Sequence, residues 1–234
     1  MTHTRWQLVV LDLAGTTIRD GGMVERAVAT AVDAAEPDRA VTAQEFAASR
    51  GLPKSELFEA LFPGRPAHAA RALATFNDQL LTLAAAGRVT EIPGAAQAIA
   101  ALKAAGAAVY LMSGLAQPVA TALLTHLRWQ DTVDGVLTPG PDGRGRPYPD
   151  LILSAALRTH VDDVRRIAVC GDTTNDLLAA FRAGAGAIAG VLTGAHDRPR
   201  LASAPHTHLL NSIRELPKAL QQTIPATAGM GHCQ

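Results

Sequence analysis

Leu8-Val-Val-Leu-Asp12-Leu-Ala-Gly15-Thr-Thr17 decides how the rest of the chain is read. Four apolar residues run into a carboxylate and then into a Gly-Thr-Thr turn, the pattern of a strand buried on both faces that ends at a loop. Asp12 then stands at the carboxyl end of that strand. Ligands of open α/β sheets collect outside those ends, so an acid there meets substrate while the sheet fixes its backbone. Taken alone, a strand followed by Asp and Gly is more often a plain turn. The remaining strand ends raise this one above that reading.

Downstream, Val24, Val28, Val32 and Ala35 recur at near-helical spacing, which predicts a helix over Met23–Ala35 after a Gly21-Gly22 pair that reads as a hinge. Thr42 and Glu45 form a capping-box pattern for a short second helix that ends before Gly51. Pro53 suits the first position of a third helix, carrying Leu57, Phe58 and Leu61 on one side until Pro63-Gly64. His68 to Ala86 reads as a fourth. No convincing strand interrupts this stretch. The α/β pattern resumes with a helix over Ala95–Ala105, a strand over Ala107–Met112 that ends at Ser113-Gly114, and a helix over Pro118–Leu127. A short strand at Gly135–Leu137, a helix over Pro149–Leu157 and a strand over Arg166–Cys170 that runs into Gly171-Asp172 come next. A helix over Asn175–Ala183, a strand over Ala187–Leu192 and a last helix over Asn211–Leu220 close the series. Strands alternating with helices imply a parallel sheet covered on both faces. The expectation is therefore a Rossmann-like, doubly wound α/β core from residues 1–20 and 91–222, an all-helical cap domain inserted over 21–90, and a disordered tail over 223–234.

The 234 residues are enough for one large core and a smaller appended unit, and 48% hydrophobic against 18% charged residues fits a water-soluble globular chain. Basic and acidic residues balance at 21 each, with no basic run, which removes the electrostatic footprint of nucleic-acid binding. Aromatics at 4% argue against a stacking platform. Cys170 and Cys233 lie far apart, and no signal peptide or membrane-length apolar stretch is evident. A reducing, cytoplasmic compartment and a small-molecule substrate follow as expectations, with neither a nucleic acid nor a membrane as partner. The alanine-rich cap helix is compatible with a homodimer.

In a parallel sheet the strand ends share one edge, and four sequence-distant groups meet there: Asp12, Ser113-Gly114, the Arg146 loop, and Asp172 with Asp176. Asp172 and Asp176 flank a helix start, so both can face the same small volume as Asp12. Three acids so close repel one another. A hard divalent cation relieves the repulsion, and all-oxygen ligands favour Mg²⁺ over Zn²⁺. Ser113 and the Gly114 amide offer neutral donors to anionic oxygens, and Arg146 a permanent positive charge, which together describe a phosphoryl site.

Asp12–Thr17, Ser113-Gly114, Arg146-Pro-Tyr-Pro-Asp150 and Gly171-Asp-Thr-Thr-Asn-Asp176 resemble, in order and spacing, the four motifs of the haloacid dehalogenase superfamily. The resemblance covers roughly residues 7 to 220, with the helical insert where that superfamily carries its cap. It implies Asp12 as nucleophile, Thr16, Ser113, Gly114 and Arg146 as substrate-binding groups, and Mg²⁺ held by Asp12, Asp172, Asp176 and the Ala14 carbonyl. Most phosphatases of the superfamily have a second Asp two residues after the nucleophile to protonate the leaving oxygen. Here that residue is Ala14. Leu13, Ala14 and Arg146 resemble instead the phosphonoacetaldehyde hydrolases (phosphonatases), where the bond broken joins carbon to phosphorus.

That family makes carbon a tolerable leaving group by condensing a cap lysine with the substrate aldehyde. Gly51-Leu-Pro-Lys54 is similar to its Gly-X-X-Lys, and Lys54 is the cap's single lysine. A place in the first turn of a helix would disfavour the ammonium form and so favour the attacking amine, an effect Glu56 opposes. Two positions depart from the pattern: Arg50 stands where phosphonatases have Met, and Leu57 where they have His. Arg50 suggests a second anion-binding group and a more polar 2-oxoalkylphosphonate as substrate. The alternatives are a phosphomonoesterase that takes its acid from the cap and, suggested by Ala14 alone, a catalytically inactive binding relative.

Overall fold

A computed structural model describes residues 5–49, 53–86, 89–140 and 142–222 of the chain. Arg50, Gly51 and the tail from Thr223 onward lie outside the described residues. In chain order the elements are β1 (Leu8–Asp12), β2 (Ile18–Arg19), α1 (Met23–Ala35), α2 (Ala43–Ser49), α3 (Lys54–Leu61), α4 (Pro66–Ala85), β3 (Thr90–Glu91), α5 (Ala95–Ala104), β4 (Ala108–Met112) and α6 (Gln117–Leu127). They continue with β5 (Gly135–Leu137), α7 (Asp150–Arg158), β6 (Ile167–Gly171), α8 (Thr174–Arg182), β7 (Ala187–Val191), α9 (Arg198–Ala202), β8 (His208–Leu210) and α10 (Leu216–Gln222).

Six strands form one parallel sheet in the order β5-β4-β1-β6-β7-β8. From the central β1 the chain fills one side of the sheet and then crosses to fill the other. The two directions part between β1 and β6, a topological switch point where α/β sheets hold their ligands. Side-chain alternation sorts the core into two layers. Val9 and Leu11 join the helices α5, α6 and α10 through Ile99, Leu123 and Leu216. Leu8 and Val10 join α7, α8 and α9 through Ile152, Leu177 and Leu201. Covering both faces is why every residue of β1 is buried, Asp12 included.

Between β2 and β3 the chain runs through the helices α1 to α4, built on Phe58, Phe62, Phe76 and Leu80. Phe58 and Phe76 meet edge to face with ring centroids 5.5 Å apart. Helix α4 packs on α1 and α3 within the insert and on α6 of the sheet unit. The boundary itself carries a feature the sequence reading lacks: β2 and β3, two residues each, pair antiparallel across the two crossing chains. Gly21 and Gly22 follow with φ of 58° and 74°, values that suit glycine, and Asp20 accepts hydrogen bonds from Gly22 N and Val24 N, each 3.1 Å, to start α1.

Two local expectations need correction. Pro53 caps α3, which begins at Lys54, so proline stands one position earlier than expected. The single helix expected over Asn211–Leu220 is a 3₁₀ turn at Ile213–Glu215 followed by α10. Pro217 has no N–H to give back into a longer helix, and Glu215 accepts from Asn211 N at 3.2 Å, which holds the tighter turn. The reading also passed over β8 and α9, whose three and five residues are too short for a periodic signal.

Candidate active site

The site forms at the carboxyl edge of β1, β4 and β6. Beyond Asp12 the chain turns at once. Ile18 N donates to Leu13 O at 2.9 Å and Gly15 N to Ile18 O at 2.8 Å, while the Thr17 hydroxyl donates to Leu13 O at 2.9 Å. Gly15 has φ 94°, and a Cβ there would lie 2.4 Å from Asp172 Oδ2. A Cβ on Gly194 would lie 1.9 Å from the same oxygen, so two backbone segments close on Asp172 only because both are glycine there.

Asp172 follows β6 directly. Its Oδ2 accepts from Ala195 N at 2.6 Å. Asp176 closes a capping box at the start of α8: its Oδ2 accepts from Thr173 N at 2.9 Å and from the Thr173 hydroxyl at 2.6 Å. One carboxylate oxygen from each of Asp12, Asp172 and Asp176 lies within 4.8 Å of the other two, and all three residues are buried. Arg146, itself buried, forms ion pairs with Asp12 and Asp176 through one guanidinium nitrogen.

One guanidinium cannot neutralise three buried carboxylates. Burial, opposed by Arg146 but reinforced by Asp176 and Asp172, holds the Asp12 carboxyl well above the usual carboxylate range. Burial and the charge of Asp176 push Asp172 up to about 6. Arg146 loses stability to burial, yet the charges of Asp12 and Asp176 more than restore it and keep the guanidinium ionised. A compact all-oxygen donor set with surplus negative charge is suited to a hard divalent cation.

Above these groups lies a cavity of about 270 Å³. Asp12, Ala14, Ser113, Gly114, Arg146 and Asp172 line its floor on the sheet side. Lys54 lines it from the first turn of α3, Glu25 from the first turn of α1, Phe46 from α2, and Arg19 and Asp20 from the linker. Of the residues singled out in the sequence, seven therefore border one volume. Thr16 stands behind it, its hydroxyl 3.4 Å from Asp12 Oδ2 and 3.5 Å from Asp172 Oδ1. Asp176 also lies behind the floor, committed to Arg146 and the capping box.

The sequence reading missed the loop after β7. Thr193 donates its hydroxyl to Gly15 O at 2.7 Å, and buried His196 accepts from Thr174 N through Nδ1 at 3.0 Å, which seats the start of α8. The Thr193-Gly194 pair at a strand end was the available signal. Seat of insert on sheet unit is equally local: a Cβ on Gly145 would lie 2.9 Å from Pro53 Cγ and 3.0 Å from Pro139 Cγ. Thus the residue before Arg146 touches the residue before Lys54.

Residues 6–184 match the haloacid dehalogenase-like hydrolase family. The chain belongs to that family. Among curated relatives of this haloacid dehalogenase-like hydrolase is the Probable phosphatase IndB of Dickeya dadantii (strain 3937), 30% identical over 218 residues that cover 89% of this chain and 91% of the relative. A hydrolase from Pseudomonas syringae superimposes with a TM-score of 0.80 at 21% identity, covering 92% of this chain and 98% of that one. A phosphonoacetaldehyde hydrolase-like protein from Oleispira antarctica also gives 0.80, at 22% identity over 94% of this chain and 92% of its own. The structural likenesses establish the fold. Among the described residues no helix is long and apolar enough to cross a membrane.

Proposed function

We propose that this hydrolase cleaves the carbon–phosphorus bond of a small 2-oxoalkylphosphonate, phosphonoacetaldehyde or a close relative, with Asp12 as nucleophile and Lys54 as imine-forming amine. The observation that carries the reading is that Lys54 and Asp12, on different structural units, line one cavity of about 270 Å³. A ligand of a few heavy atoms spans such a volume, so its phosphoryl end and its carbonyl end can be engaged together.

The phosphoryl group sits over the sheet edge. Arg146 and the Ser113 hydroxyl meet its oxygens, with the Gly114 amide beside them, and Asp12 faces phosphorus. Thr16 supports this anionic end from behind by holding the two carboxylates in register. Asp12 and Asp172, with the Ala14 carbonyl, would hold Mg²⁺, and Asp176 adds charge to the set while keeping Arg146 in place. A cation bound there would offset part of the charge of the carboxylates and of the phosphoryl oxygens. Lys54 condenses with the carbonyl, the protonated imine accepts the electrons of the breaking carbon–phosphorus bond, and Asp12 takes the phosphoryl group. Water then hydrolyses the aspartyl phosphate, while the enamine left on Lys54 takes a proton at carbon and the resulting imine is hydrolysed to free carbonyl product and lysine. Ala14 is consistent with this chemistry, because a carbon leaving group offers no oxygen lone pair to protonate.

The second reading, a phosphomonoesterase, is supported by the 30% identity to a relative named as a probable phosphatase and by the carboxylates of Asp20 and Glu25 on the insert side of the cavity. Rates of phosphate release separate the two. We expect kcat/KM for phosphonoacetaldehyde or a hydroxylated analogue to exceed that of every monoester in a broad panel by at least about 10²-fold, and Asp12→Asn to lower turnover by at least about 10⁴-fold. A monoester turned over faster than any phosphonate would favour the second reading.

A further inference from the structure

Imine formation needs a group to move protons. At neutral pH a lysine starts as ammonium, and the hydroxyl of the carbinolamine must depart as water. We propose that Glu25 is that proton carrier, an assignment that rests on the imine reading above. Glu25 takes one proton from the Lys54 ammonium, the freed amine adds to the carbonyl carbon, and a proton shifts from nitrogen to oxygen within the adduct. Glu25 then returns its proton to the hydroxyl, which leaves as water while the nitrogen lone pair forms the C=N bond. Ammonium plus carbonyl become iminium plus water, and Glu25 ends as the carboxylate it began.

Elimination and position point to this residue. Ala14 has no titratable group, and Leu57, three residues after Lys54, is buried in the apolar interior of the insert. Asp12 and Asp172 line the cavity from the strand ends of the sheet unit and belong to the phosphoryl end. Asp20 lines the cavity, but both its oxygens accept backbone hydrogen bonds that start α1. Glu25 lines the same cavity from the insert, as Lys54 does, is exposed, and caps no helix.

The test is the rate at which Lys54 becomes trapped when enzyme and phosphonoacetaldehyde are mixed and quenched with borohydride at increasing times, read by peptide mass. Wild type should label Lys54. Glu25→Gln, which keeps the shape of the side chain, should label the same lysine about 10²-fold more slowly. Glu25→Ala should be slow as well, and added formate, a carboxylate small enough for the vacated space, should accelerate it while leaving wild type unchanged. Labelling of Glu25→Gln at the wild-type rate overturns the role of Glu25 and leaves the imine standing. A slow Glu25→Ala that formate does not restore also overturns it. No label on wild-type Lys54 overturns the imine reading, and Glu25 as its proton carrier with it.

Discussion

The floor and the opposite wall of the cavity are built by contrary means. On the floor, Asp12, Asp172 and Asp176 are 2%, 3% and 0% exposed, and each is held by short contacts to backbone amides, hydroxyls or Arg146. On the wall, Lys54 and Glu25 are first-turn residues of helices whose stability comes from elsewhere, chiefly from the aromatic interior around Phe58 and Phe76. The floor spends folding free energy to concentrate charge. The wall spends almost none, so its polar residues can change without loss of the fold. A common phosphoryl site can thereby serve different leaving groups according to what the insert presents.

Removing one floor carboxylate gives the largest expected effect. Without metal, the Asp172 carboxyl titrates at about 6, against an ordinary value near 3.9. The folded state thus holds this proton more tightly than the unfolded chain, so ionisation works against folding. The penalty is absent below about pH 4 and complete above about pH 6, at roughly 3 kcal/mol. In EDTA, Asp172→Asn should gain several degrees of Tm over wild type as pH rises through that window, at roughly 2–4 °C per kcal/mol. With Mg²⁺ the order should reverse, and the variant should lose turnover. Parallel Tm curves for the two proteins from pH 4 to 7 would show that the carboxylates are not in conflict.

A smaller effect is expected where floor and wall touch. Gly145→Ala pushes a methyl group towards Pro53 and Pro139 and so shifts Lys54 relative to Arg146, leaving the carboxylates alone. Misplacement of this kind should lower kcat/KM about 10- to 100-fold, while the Mg²⁺-induced rise in Tm stays at its wild-type value. Titration of both proteins with Mg²⁺, followed by steady-state kinetics, checks the pair of outcomes. Unchanged kinetics would mean that insert and floor are not in register through this contact.

The same contrast explains what could be read from the amino-acid order. Leu8–Asp12 is legible because an apolar run ending in an acid, a plain turn when taken alone, is repeated at Arg166–Asp172, and the two together place complementary groups at strand ends. Ser113, Arg146 and Asp172 follow from the topology once those strands are parallel. Lys54 was reachable through the local Gly51-Leu-Pro-Lys54 pattern, although Gly51 itself lies outside the described residues. Glu25 was not, because an acid in the first turn of a helix is explained fully by the helix dipole. Nor was His196: it accepts a hydrogen bond from Thr174, 22 residues earlier, and nothing near it in sequence signals that contact. The linker strands β2 and β3 pair residues more than seventy positions apart, and two-residue runs carry no periodicity.

Whether Lys54 forms a covalent bond to substrate tests the central claim most directly. Wild-type protein incubated with phosphonoacetaldehyde and borohydride should carry the reduced two-carbon adduct on the peptide that contains Lys54, with activity lost in proportion to labelling. Lys54→Arg should show neither adduct nor turnover, because a guanidinium keeps the charge but does not condense with an aldehyde at neutral pH. An adduct on Lys103 or Lys218 in place of Lys54, or full activity in Lys54→Arg, would contradict the account and leave phosphate ester hydrolysis as the reaction of this site.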